Sequence, residues 1–122
     1  MKITIKTTNL DITPAIQEYT EKRAQILEKF FRANSDTALA AIELALTTGH
    51  HKSGDIFRAE LNLSNTATGE QLYAEAEAKD LYTAIDDMKD KAERECLSLK
   101  NKRVGMVKRG AARLKKMLRY RG

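Results

Sequence analysis

The sequence predicts an α+β domain, a two-layer sandwich in the order β-α-β-β-β-α, with two helices on one face of a four-stranded sheet. Three observations predict it. Four stretches alternate apolar and polar residues, the period of a half-buried strand. Two longer stretches repeat apolar residues at spacings of three and four, the period of an amphipathic helix. Connectors rich in Gly, Asn, Ser and Thr separate the later strands. At 122 residues there is room for one domain with one modest core.

Ile3 and Ile5 alternate with Lys2, Thr4 and Lys6, which reads as a first strand. In the following NLDITPAI, Thr13 suits a helix N-cap and Pro14 the first helical position, where a missing N–H costs nothing. The helix is expected to run to about Phe31. Ile16, Thr20, Ala24, Leu27 and Phe31 line one face, widened by Tyr19, Ile26 and Phe30. Lys22, Arg23 and Lys29 lie beside or opposite it.

Three strand segments follow. Ile42, Leu44 and Leu46 alternate with Glu43, Ala45 and Thr47; Phe57, Ala59, Leu61 and Leu63 with Arg58, Glu60 and Asn62; Leu72, Ala74, Ala76 and Ala78 with Tyr73, Glu75 and Glu77. The connectors GHHKSGD and NTATGE make an antiparallel meander the simplest pairing. The third segment is alanine-rich and has weak strand propensity. Asp80 is placed to cap a second long helix with the stripe Leu81, Ile85, Met88, Ala92, Cys96 and Leu99. The order resembles a double-stranded-RNA-binding domain with an added first strand.

Charge is unevenly divided. The net charge is +5, but residues 1–98 hold 12 Lys and Arg against 17 Asp and Glu, whereas residues 99–122 hold ten and none. An acidic body with a strongly basic end points to a polyanionic partner better than a high isoelectric point does. No apolar run reaches the roughly 18 residues of a membrane span. The N-terminus lacks the continuous apolar segment of a signal peptide. A single cysteine excludes an internal disulfide and suits a reducing compartment, so a cytoplasmic protein is expected.

Little in the chain suggests catalysis. Cys96 falls on an apolar stripe and reads as a small buried hydrophobe rather than a nucleophile. His50 and His51 are neighbours in a connector with no third ligand at a sensible spacing, so no metal site is expected. Asp86, Asp87, Asp90, Glu93 and Glu95 interleave with Lys89, Lys91 and Arg94 at helical spacings, the pattern of a solvated ion-pair surface. Neither a P-loop nor a dinucleotide fingerprint is present. No enzyme, cofactor or small-molecule substrate is expected.

The basic residues carry the functional reading. Lys91, Arg94 and Lys102 form a rail beside the second apolar stripe, and Lys22 and Arg23 are expected to run alongside it. Lys102 and Arg103 continue into the acid-free tail, where phosphate contact with little sequence preference is expected. In the tail, Val107, Ala111, Leu114 and Leu118 make a narrow apolar stripe among cations that include Lys108, Arg109, Arg113, Lys115 and Lys116. Gly105 and Gly110 each disfavour a helix by roughly 1 kcal/mol. The tail, residues 104–122, is expected to be mobile alone and ordered on binding. It lacks Trp and Phe, and its stripe is thin, which argues against a membrane surface.

DITPAI at the first helix and KDLYTAIDDMKDKAER at the second resemble the ribosome hibernation promoting factors, also called ribosome-associated inhibitors. The resemblance covers about residues 1–103. Its most specific part is Asp80, Tyr82, Ala84 and Ile85 followed by Lys91 and Arg94. It implies a non-enzymatic protein, monomeric when free, that binds rRNA and proteins of the small ribosomal subunit. It also implies a seat in the channel used by mRNA and tRNAs, blocking translation in stationary phase or stress. The family's basic surface matches at Arg23, Lys91, Arg94 and Lys102 and extends to Lys22, Lys29 and Lys79. The basic tail departs from the family, and no second, ribosome-pairing domain fits in this length. A general double-stranded-RNA-binding module and a regulatory module docking on an acidic protein are the rival readings.

Overall fold

The computed structural model describes residues 1–31, 36–48 and 54–99. Strand β1 is Lys2–Thr8, helix α1 Pro14–Phe31, β2 Ala38–Thr48, β3 Asp55–Asn65 and β4 Gln71–Ala78. A second helix, α2, covers residues 81–99. The β-α-β-β-β-α order is the expected one. His50, His51 and the tail residues from Lys102 onward lie outside the described residues.

The four strands lie side by side in chain order. β2, β3 and β4 form the antiparallel meander, with Ile42 opposite Leu61 and Leu61 opposite Ala74. β1 pairs with β2 in parallel, Ile5 beside Ile42, so the sheet is mixed and α1 is the crossover that parallel neighbours require. β2 begins at Ala38, earlier than alternation suggests, because Ala38 and Ala40 bury fully with little apolar contrast to their neighbours.

Both helices begin as their sequences dictate. The Thr13 hydroxyl accepts from the Ile16 N–H at 3.2 Å, and Pro14 opens α1. An Asp80 carboxylate oxygen accepts from the Thr83 N–H at 3.0 Å and from its hydroxyl at 3.1 Å. The β3–β4 turn closes on Asn65, whose side chain accepts from the Ala67 N–H at 3.0 Å. Gly69 holds φ +76°, a left-handed conformation that a side chain would strain.

The core lies between one sheet face and the helices. Leu44, Leu61 and Leu63 from the sheet, Leu27 from α1 and Ile85 and Met88 from α2 are fully buried within it. Thr20 is buried among them, its hydroxyl satisfied by the Ile16 carbonyl at 2.7 Å. No described helix is long and apolar enough to cross a membrane.

Candidate nucleic-acid interface

The cations singled out by sequence divide between two sides of α2. On the α1 side, Arg23 forms a cross-helix lock. Its Nε lies 3.1 Å from Asp86 Oδ1, and its Nη2 donates to the Tyr19 hydroxyl at 3.1 Å. That hydroxyl donates onward to Asp86 at 2.6 Å. The guanidinium carbon sits 4.9 Å from the Tyr19 ring centre, and Tyr82 packs edge-to-face on Tyr19 at 4.9 Å. The bond to Asp86 holds the Tyr19 hydroxyl above its ordinary pKa, and the bond to Tyr19 raises Arg23 further. Arg23 is thus held in one orientation with its charge partly matched, and Tyr82 stands exposed beside it.

On the β4 side, the Lys91 ammonium donates to the Glu75 backbone carbonyl at 2.9 Å, covering one acceptor of the open sheet edge. Arg94 is exposed, and its Nε makes a long 3.4 Å contact with the Asp90 carbonyl one turn back. Tyr73, Glu75, Lys91, Arg94 and Glu95 border a depression of about 410 Å³. Of the expected rail, Lys91 and Arg94 stand on this side of α2 and Lys102 lies outside the described residues, while Arg23 lies across α2 from Lys91. A surface touching both must cross a helix about 10 Å wide.

The other predicted cations are exposed. Lys22 pairs with Glu18 at 3.0 Å, Lys29 lies at the last turn of α1, and Lys79 stands just before the α2 cap. Lys89 is committed to Asp90 at 2.8 Å and Glu93 at 3.3 Å, the structural part expected of it. Lys102, Arg103, Lys108, Arg109, Arg113, Lys115 and Lys116 lie outside the described residues.

Local compensation limits what the helices do electrostatically. α1 carries Glu18, Glu21 and Glu28 with its Lys22, Arg23 and Lys29, and α2 carries more acids than bases. Exposed ion pairs of this kind contribute little stability and leave a weak net field. Oriented single cations, not a dense positive potential, are what the described surface offers a polyanion.

Nothing catalytic assembles among the described residues. No group of acids, histidines or cysteines among the described residues is arranged to hold a metal. Cys96 is buried, and desolvation pushes its thiol up to about 11, away from nucleophilic reactivity. On the uncovered sheet face, Arg58 bridges Glu60 and Glu75, and the Tyr73 hydroxyl also donates to Glu75. The Tyr73 bond first, then Arg58, hold the Glu75 carboxyl below its ordinary value of 4.5. A carboxyl with a depressed folded pKa stabilises the fold above the unfolded value and loses that contribution as pH falls through the folded one. Glu75→Gln is therefore expected to flatten the loss of stability below about pH 4.5, measured by urea titration at stepped pH.

Residues 3–104 match the family described as Sigma 54 modulation protein / S30EA ribosomal protein. The chain belongs to that family. The S30EA family match spans the described fold from Ile3 to its end. Ribosome hibernation promoting factors of Azotobacter vinelandii and Klebsiella oxytoca are 29% and 31% identical to it over 104 and 103 residues. These alignments cover 85% and 84% of this chain and 87% and 96% of the relatives. The Thermus thermophilus Protein Y N-terminal domain superposes with a TM-score of 0.64 at 30% identity, covering 79% of this chain and 96% of that one. A ribosomal subunit interface protein from Coxiella burnetii shares the fold, TM-score 0.63 at 23% identity, over 83% and 99% of the two chains. S30EA family membership makes this a ribosome-associated protein of the hibernation class and not an enzyme.

Tyr82 stands out in the sequence only through the family resemblance, and the Tyr19–Arg23–Asp86 lock does not show there at all. The i,i+4 spacing of Tyr19 and Arg23 was a usable signal, but the pairing with Asp86 needs the helices packed.

Proposed function

We propose that this protein is a cytoplasmic ribosome hibernation factor that binds the small ribosomal subunit in the channel of mRNA and tRNAs. There it blocks translation in stationary phase or stress. The carrying observation is the family match over residues 3–104, joined by near-full-length likeness to two hibernation promoting factors. Residues 1–103 are the ribosome-binding domain and 104–122 an added cationic arm. The free protein is a monomer, and it takes no small-molecule ligand.

The geometry supports contact through the outer surface of the helical layer. Lys22 and Lys29 on α1, Lys79 before α2 and Lys91 and Arg94 on α2 are exposed, and Arg23 is held rigid between the helices. Phosphates of folded rRNA meet such points at fixed positions, so preorganised cations select shape while contributing little to free-duplex binding. Exposed Tyr82 adds an aromatic face beside Arg23 on which a base or ribose can pack.

Sedimentation of a stationary-phase lysate through sucrose, with detection of this protein, tests the reading. The protein is expected in the small-subunit and assembled-ribosome fractions at moderate salt. Recovery only at the top of the gradient would reject it. Equal affinity for free RNA duplex and for subunits would instead favour a general double-stranded-RNA binder.

A further inference from the structure

Two helical neighbours on α1 face two on α2. Tyr19 and Arg23 are four residues apart, as are Tyr82 and Asp86, so each pair stands one turn apart on its own helix. The helices bring them together in step. Tyr19 meets Tyr82 edge-to-face at 4.9 Å and 85°, and Arg23 Nε meets Asp86 Oδ1 at 3.1 Å. One rung of this ladder is aromatic and the next is ionic. The Tyr19 hydroxyl ties the two rungs, donating to Asp86 at 2.6 Å and accepting from Arg23 Nη2 at 3.1 Å. Ring, hydroxyl and carboxylate thus all hold one guanidinium, whose carbon sits 4.9 Å from the Tyr19 ring centre.

An ion pair between side chains 36% and 40% accessible adds little to stability. Its effect here is on orientation. A guanidinium has five N–H donors, and the contacts to Asp86 and Tyr19 use those on Nε and Nη2. Nη1, with both of its N–H groups, has no partner among the described residues. Arg23 therefore keeps part of its planar fork free, the shape that matches phosphate oxygens, with the exposed Tyr82 beside it. An unrestrained arginine loses rotamer freedom when it meets a phosphate, and that loss weakens binding. Arg23 has lost that freedom already, on folding.

We infer that Asp86 and Tyr19 are positioning residues for RNA binding, holding Arg23 so that its free N–H groups meet a backbone phosphate without further ordering. The role rests on the subunit binding proposed above, and it falls on two residues that carry no positive charge. Its consequence has the opposite sign to simple electrostatics. Asp86 is an acid on a surface that receives a polyanion, so by field alone its removal tightens binding, by less than about twofold near 0.15 M salt. Releasing the guanidinium weakens binding by about three- to tenfold, the ordering cost of one long side chain. The second effect is the larger.

Filter binding of the full-length protein to purified small subunits tests the inference. Asp86→Ala is expected to bind about three- to tenfold more weakly than the parent. Tyr19→Phe keeps the ring and alters no charge, and is expected to weaken binding in the same direction by about twofold or more. In an Arg23→Ala background neither substitution is expected to cost further affinity, because the group they position is gone. Urea unfolding of each variant shows that it is folded under the conditions of the assay. Asp86→Ala binding as tightly as the parent, or more tightly, would overturn the inference. Equal losses with and without Arg23 would assign both residues to helix packing and overturn it as well. A parent that binds no subunits would reject the proposed function itself, and this role with it.

Discussion

Ending the chain after Arg103 is expected to weaken binding to the small subunit on the order of 10²–10⁴-fold near 0.15 M salt, and to flatten its salt dependence. The truncation removes Lys108, Arg109, Arg113, Lys115, Lys116, Arg119 and Arg121 and no acid. If each neutralises one phosphate, the slope of log K against log salt falls in magnitude by about 5 to 6. The described surface cannot replace them, because its cations are interleaved with acids and the most ordered, Arg23, is committed to Asp86. What remains after truncation is a shape-selective but weaker binder. Filter binding to purified subunits across a salt series measures both quantities, and an unchanged slope would show that the tail makes no phosphate contact.

The elements were legible because their periods are physically distinct. Alternation in IFRAELNLS and the four-four-three-four spacing from Ile16 to Phe31 each serve one secondary structure only, and capping residues Thr13 and Asp80 mark the starts. Alternation alone says nothing about direction, so the parallel pairing of β1 with β2 appears only in the fold. The rail of Lys91 and Arg94 could be read from helical spacing, but the flank on which α1 packs could not. That is why Arg23, expected beside the rail, lies across α2 from it and pairs with Asp86, 63 residues away in the chain. The facing of Glu43, Glu60 and Glu75 across three adjacent strands is less legible still. It exists only in one register, and a one-residue slip of β3 would turn Glu60 into the core.

Leu61→Ala is expected to destabilise the protein by about 2–5 kcal/mol, toward the upper part of that range. Leu61 is fully buried on β3, which has neighbours on both sides, between Ile42 and Ala74 in register. Truncating it leaves a cavity whose cost depends on how far the surroundings collapse. Here the neighbouring positions include Ala59, Ala74 and Ala76, which have no rotamers with which to fill a hole. A domain of this size has about 5–15 kcal/mol in total, and each kcal/mol shifts the melting temperature by roughly 4–8 °C. Leu97→Ala, on an exposed position of α2, is the control and should stay within about 0.5 kcal/mol. Urea unfolding followed by circular dichroism reads both, and a loss below about 1 kcal/mol for Leu61→Ala would contradict its place in the core. Ribosome binding by this variant should match the parent well below its melting temperature and vanish near it, because Arg23, Lys91 and Arg94 are held in position only while the two helices rest on that core.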